Sequence, residues 1–152
     1  MNTRGFTLTE LLIVIAIISI LAMLSVPAYI GQQRSAARNE AFSNLETLRL
    51  LEEQFFAENG EYAPAGGGGP INYNATFGVA DGGIEDILPA FRPGGQAGLA
   101  GMGLNFSYSI ITQDTTGDGL ADTFIASAVP NAGTRVASDP TYTIDQNNVR
   151  NW

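Results

Sequence analysis

Residues 11–29, LLIVIAIISILAMLSVPAY, carry no charged side chain over 19 positions. An α-helix needs ~20 apolar residues to cross a hydrocarbon core. Whatever folds downstream, this run must sit in lipid or be covered by other apolar surface. Three readings are open. It is an ordinary anchor. Or it is a secretory signal, since Met1 to Gly5 holds one Arg and Val26-Pro27-Ala28 passes as a small-residue cleavage site before Tyr29. Or it leaves the membrane later and packs against copies of itself.

Glu10, at the edge of the run, separates these readings. A carboxylate in an apolar region costs a few kcal/mol unless it is paired or lies at the interface. An anchor or a signal has no use for it beyond tolerance at headgroup level. Cleavage after Gly5 would create a partner, because the new α-amine of Phe6 lies at the start of the helix. An ion pair between Glu10 of one copy and the Phe6 amine of its neighbour would offset both desolvation costs. It would also set the axial register, since a mis-stacked copy leaves two charges unpaired.

RGFTLTELLIVIAIISILAMLSVPAY, residues 4–29, resembles the N-terminus of type IV prepilins and the related type II secretion pseudopilins. The matching features are Arg4 in a short leader, Gly5, Phe6, Glu10 four residues on, and Pro27 inside the apolar run. The resemblance implies that a prepilin peptidase cuts after Gly5 on the cytoplasmic side and methylates the Phe6 amine, with Glu10 as the assembly residue. It implies a precursor in the bacterial inner membrane, pilus assembly machinery, and a homopolymer of identical subunits as an extracellular filament. Pro27 removes a helix hydrogen bond by its own chemistry; the family reading is a kink or a locally melted stretch. Many type IV pilins close a C-terminal loop with a disulfide, and this chain has no Cys. Ladder bonds, a Gly-rich wrap or calcium must serve there.

Past Tyr29 the pattern becomes amphipathic. Ala37, Phe42, Leu45, Leu48, Leu51 and Phe55 recur at three- and four-residue spacing among Glu, Arg and Gln. Pro is absent until Pro64, and Asn59-Gly60 is a stop signal. The expectation is one helix from Phe6 to about Glu58, about 80 Å at 1.5 Å per residue. A coiled-coil stalk is the rival, but strict heptads are missing. Residues 60–104 are Gly-rich and read as connecting loop, with one short helix within 84–91. NFSYSIITQ, DTFIASAV and TYTID alternate and predict three antiparallel strands. Phe106, Tyr108 and Ile110 should share the face that covers the Leu45, Leu48, Leu51, Phe55 stripe.

The predicted class is therefore α+β, a long N-terminal α-helical spine with a small antiparallel sheet head packed on its second half. Its parts are a leader (1–5), an apolar helix (6–29), an amphipathic continuation (30–59), a Gly-rich region (60–104) and a sheet head (105–152).

DTTGDGLAD, residues 114–122, resembles a calcium loop of the D-x-[DN]-x-D-G type. Asp114, Thr116, Asp118 and Asp122 would be side-chain ligands, with the Leu120 carbonyl and a sharp turn at Gly119. Two departures stand out: Thr at the third position, and Ile125 where a bidentate Glu belongs. The other reading is a Gly-rich hairpin turn with solvated acids. Asn74-Ala75-Thr76 and Asn105-Phe106-Ser107 match the glycosylation pattern.

Composition excludes much else. The formal charge is −8, and all seven basic residues are Arg. No basic patch supports nucleic-acid binding. Without His or Cys there can be no Ser-His-Asp triad, no Cys-His pair and no zinc site. A carboxylate-only enzyme would need a marked cleft, and no motif marks one. With these exclusions, the resemblance of residues 4–29 implies a non-enzymatic structural subunit of a type IV pilus. The alternatives are a secretion pseudopilin or a secreted binding domain cut after Ala28.

Overall fold

A computed structural model describes residues 6–73, 82–94 and 104–152. Its elements are α1 (Leu8–Asn59), β1 (Gly68–Asn72), α2 (Ile84–Ile87), β2 (Phe106–Gln113), β3 (Thr123–Pro130) and β4 (Tyr142–Asp145). The order gives an α+β protein, a helical spine followed by a small antiparallel sheet. Residues 1–36 and 37–152 form separate compact units.

Helix α1 begins within two residues of the expected start and ends one residue beyond the expected end. At its end Gly60 takes φ +80°, and its N–H reaches the carbonyl of Phe56 at 2.8 Å. Glycine meets no Cβ penalty there, so the helix stops where Asn-Gly said it would.

In the second unit the sheet is a four-strand meander in the order β1-β2-β3-β4. Strands β2 and β3 pair over their full lengths, from Phe106↔Pro130 to Gln113↔Thr123. Alternation along β2 buries Phe106, Tyr108 and Ile110, as its pattern predicted, and also Thr112. Phe124, Ala126 and Ala128 of β3 and Tyr142 and Ile144 of β4 complete the inner face. Fully buried Phe, Leu and Ile side chains each contribute about 1.5–3 kcal/mol of transfer free energy.

Two departures from expectation have physical causes. The Gly-rich region contains a strand, β1, although GGPIN neither alternates nor favours extended structure. It forms because β2 presents an open edge, pairing Ile71↔Ile110 and Asn72↔Ser109 with a bulge after Gly68. Pro70 is tolerated because β1 is an edge strand. The short helix expected within 84–91 is present as a single turn, Ile84–Ile87.

The second departure is the buried stripe of α1, which is Ala37, Ala41, Leu45, Leu48 and Glu52, while Phe42, Leu51 and Phe55 are only partly covered. An ionisable side chain thus holds a core position. Glu52 Oε2 accepts a hydrogen bond from the Ala63 N–H at 2.9 Å, and Oε1 has no partner. Burial, offset in part by that bond and reinforced by neighbouring Glu53, pushes the carboxyl up to about 7.

Segment 146–152 is held without a disulfide. Arg150 Nη2 lies 2.6 Å from Glu46 Oε1, an ion pair by distance without hydrogen-bond alignment. The Trp152 ring stacks on Phe42, with centroids 4.9 Å apart. Asn151 donates to the Thr141 carbonyl and accepts from the Thr143 N–H, both at 2.9 Å.

Candidate assembly site

Phe6, Thr7 and Glu10 lie together at the start of α1. Thr7 and Glu10 form a reciprocal cap. The Thr7 N–H and Thr7 Oγ1 donate to Glu10 Oε2 at 2.9 and 2.7 Å, and the Glu10 N–H donates to Thr7 Oγ1 at 3.3 Å. Glu10 in the single chain is therefore partnered locally. Thr7 had no assigned role in the sequence reading, although T-L-T-E carries the S/T-x-x-E signature that finds it. Phe6 itself is 81% exposed. Gly5, the expected cleavage residue, lies outside the described residues, as does Asn74-Ala75-Thr76. Asn105-Phe106-Ser107 opens β2.

Among the described residues, the apolar run that follows is left uncovered. Every large hydrophobic side chain from Phe6 to Ile30 is exposed, and the most apolar 18-residue window is 0% buried. The helix is long and apolar enough to cross a membrane. The two serine hydroxyls of the apolar run raise little objection to an apolar medium. Ser19 donates back to the Ile15 carbonyl at 2.7 Å and Ser25 to the Leu21 carbonyl at 2.6 Å. Pro27 lies inside α1, which stays helical through Val26-Pro27-Ala28. Membrane or filament burial would therefore confront one carboxylate and an otherwise compatible surface.

The acidic turn stands apart from this segment. Asp114 Oδ1 accepts from the Gly117 N–H at 2.6 Å and Oδ2 from the Gly119 N–H at 2.8 Å. Both bonds hold the Asp114 carboxyl below its usual range, the Gly119 amide most strongly. Asp122 is lowered too, by the Thr115 hydroxyl at 2.7 Å and then the Thr115 and Thr116 amides. Asp118 accepts from the Leu120 N–H at 2.9 Å. Gly119 makes the sharp turn with φ +88°. Asp114, Thr116, Asp118, Leu120 and Asp122 thus share one loop, as the sequence suggested. The carboxylates are turned to the loop's own amides, and among the described residues no group of three or more acidic side chains is arranged to hold a metal ion.

Residues 1–26 match the prokaryotic N-terminal methylation motif. Over 62 residues the chain is 45% identical to the type IV major pilin protein PilA of Myxococcus xanthus (strain DK1622), covering 41% of this chain and 28% of that protein. It is 41% identical over 82 residues to a fimbrial protein of Neisseria meningitidis serogroup A, covering 53% and 44%. It is 37% identical over 59 residues to the type II secretion system core protein G of Pectobacterium carotovorum, covering 39% and 38%. The chain spans less than half the length of each of these relatives. No solved structure gives a significant match. The matched motif begins at Met1 and contains the Thr7–Glu10 cap and most of the uncovered apolar run, and the same helix then carries a small antiparallel sheet. The motif and these relatives support a place in the type IV pilin and pseudopilin family.

Proposed function

We propose that this chain is a structural subunit of a type IV pilus filament, assembled from an inner-membrane precursor. The observation that carries the reading is the 0% burial of the apolar window in a helix that begins with a carboxylate. That surface needs lipid before assembly and copies of itself afterwards. In this reading a prepilin peptidase cuts after Gly5, the Phe6 amine becomes available, and Glu10 exchanges its local Thr7 partners for the amine of a neighbouring subunit. Apolar helix contacts, repeated per copy, then hold the polymer. Pro27 marks the point where the helix lacks one backbone bond and can bend most cheaply.

The relatives named as pilin and fimbrial protein support a surface pilus. The relative named as a type II secretion core protein supports a pseudopilus built by the same steps. The first experiment is the N-terminal residue and mass of the mature protein. Methylated Phe6 supports filament processing, whereas an N-terminus at Tyr29 removes the assembly segment and overturns the reading. Glu10→Val should leave a membrane-inserted subunit that polymerises poorly, and wild-type filament yield from that variant would sink the ion-pair step.

A further inference from the structure

Residues 61–65 form a strap between the end of α1 and the sheet. We propose that a protonated Glu52 carboxyl latches this strap to the helix, and that ionisation of Glu52 releases it. The inference concerns the 37–152 unit alone and does not rest on the filament reading.

The geometry comes first. Glu52 is 0% exposed, its Oε2 holds the Ala63 N–H, and its Oε1 is buried without a partner. A neutral carboxyl tolerates that arrangement, whereas a carboxylate leaves an uncompensated charge in the core. No cation answers it among the described residues. Glu53, adjacent on α1, repels it, and Arg49, one turn back, pairs with Glu46 at 3.4 Å. From the strap, the Tyr62 hydroxyl faces Glu53 at 3.3 Å, and Glu61 Oε2 accepts from the Gly66 N–H at 2.6 Å and the Ala121 N–H at 3.3 Å. From the β2–β3 turn, Asp122 is held by Thr115 and Thr116. Phe124 of β3 brings only its ring, 4.9 Å from that of Tyr62. The raised titration of Glu52 agrees with this setting.

Glycines flank the strap, while Tyr62 and Ala63 within it are buried. Gly60 at one end and Gly66 and Gly67 at the other all take positive φ, at +80°, +75° and +71°. Its hydrogen bonds to the sheet and the β2–β3 turn are Tyr62 N–H to the Ala121 carbonyl at 2.8 Å, Thr112 Oγ1 to the Pro64 carbonyl at 2.9 Å, and the Glu61 bond to Ala121, and the Tyr62 ring packs on that of Phe124. When Glu52 ionises it must reach water, and lifting the strap about these glycines is the shortest way. The sheet ladder need not open.

The test is hydrogen exchange on the full chain in detergent micelles, read on a peptide covering residues 57–68. Protection factors, corrected for the intrinsic pH dependence of exchange, are compared at about pH 5.5 and about pH 8.5, where an ionisation near neutrality gives roughly a tenfold change or more. Wild type should lose about tenfold protection in this peptide at the higher pH and none in residues 107–112 of β2. Glu52→Gln, which keeps the acceptor for Ala63 but cannot ionise, should show the same protection at both. Equal wild-type protection at the two pH values, an equal loss in Glu52→Gln, or a loss spread over β2 would overturn the latch. Should Glu52→Gln fail to fold, the wild-type Ala63 amide and Glu52 carboxyl NMR shifts decide. A shared midpoint near neutrality supports the latch, and an ordinary glutamate midpoint refutes it.

Discussion

Arg38 of α1 grips Asp139 through two parallel hydrogen bonds, Nε to Oδ2 and Nη2 to Oδ1, both 2.7 Å. The Asp139 side chain is only 3% exposed, while that of Arg38 is 39% exposed. The fork raises Arg38 further above its already high range, chiefly through its hydrogen bonds to Asp139. It ties the β3–β4 connection to the helix. Asp139→Ala should lower the head's melting midpoint by several degrees, and Arg38→Lys, which loses the planar fork, should lower it too. Fluorescence of the single Trp152, stacked on Phe42, reports head unfolding. Wild-type midpoints in both variants would show that the pair adds nothing.

Core burial on α1 gives a contrast between neighbours. Leu48 is 0% exposed and Leu50 is 59% exposed. Leu48→Ala should cost about 2–5 kcal/mol. Leu50→Ala should stay within about 0.5 kcal/mol. Urea unfolding of the full chain in micelles checks both. A similar loss at both positions would contradict the observed packing face.

Glu52 makes head stability depend on pH with a definite sign. Its carboxyl is raised from 4.5 unfolded to about 7 folded. The folded state therefore binds the extra proton, and that contribution is complete below about 4.5. It is lost as the pH rises toward and through about 7, with a slope of at most about 1.4 kcal/mol per pH unit. Thermal melts across this window should show the decline in wild type and a flatter profile in Glu52→Gln. Parallel profiles would remove Glu52 as the cause.

The Thr7–Glu10 cap predicts a local effect separable from assembly. Thr7→Val keeps the side-chain shape and removes the hydroxyl that both donates to Glu10 and accepts from its amide. The first turn of α1 should fray, seen as faster amide exchange and lost helical shifts over residues 8–11 in micelles. The Leu48 region should be unchanged. A first turn as ordered as wild type would show that the cap is dispensable.

In the acidic turn, Asp114 and Asp122 have depressed folded values, so they stabilise above their unfolded value of 3.8 and lose that effect as the pH falls below it. Because both already hold the loop's amides, a chelator should leave the melting midpoint where it is, and Asp114→Ala should lower it in the presence or absence of calcium. A large rise in midpoint on adding calcium to wild type would show instead that the loop rearranges to gather a cation.

How much of this was legible follows from the range over which each signal acts. Helical periodicity, the absence of Pro between Pro27 and Pro64 and the Asn59-Gly60 stop set α1 locally, so its limits came within two residues. Two-residue alternation placed Phe106, Tyr108 and Ile110 on the inner face, because a strand's pleat leaves no other choice. The N-terminal motif was readable because its residues lie within one short stretch, including the T-L-T-E cap that went unused. Other features depended on partners far away in the chain. Strand β1 exists because β2 offers an edge to a segment with little strand character of its own. Glu52 is buried because the strap crosses its face of the helix, although a glutamate in an amphipathic repeat reads as solvent-facing. Arg38 and Asp139 stand 101 positions apart, and Phe42 meets Trp152 across most of the head. Sequence alone determined α1, the strands β2, β3 and β4, and which surface would lack cover. Only the tertiary structure decided which polar groups met, because that depends on the positions of backbones brought together by the fold.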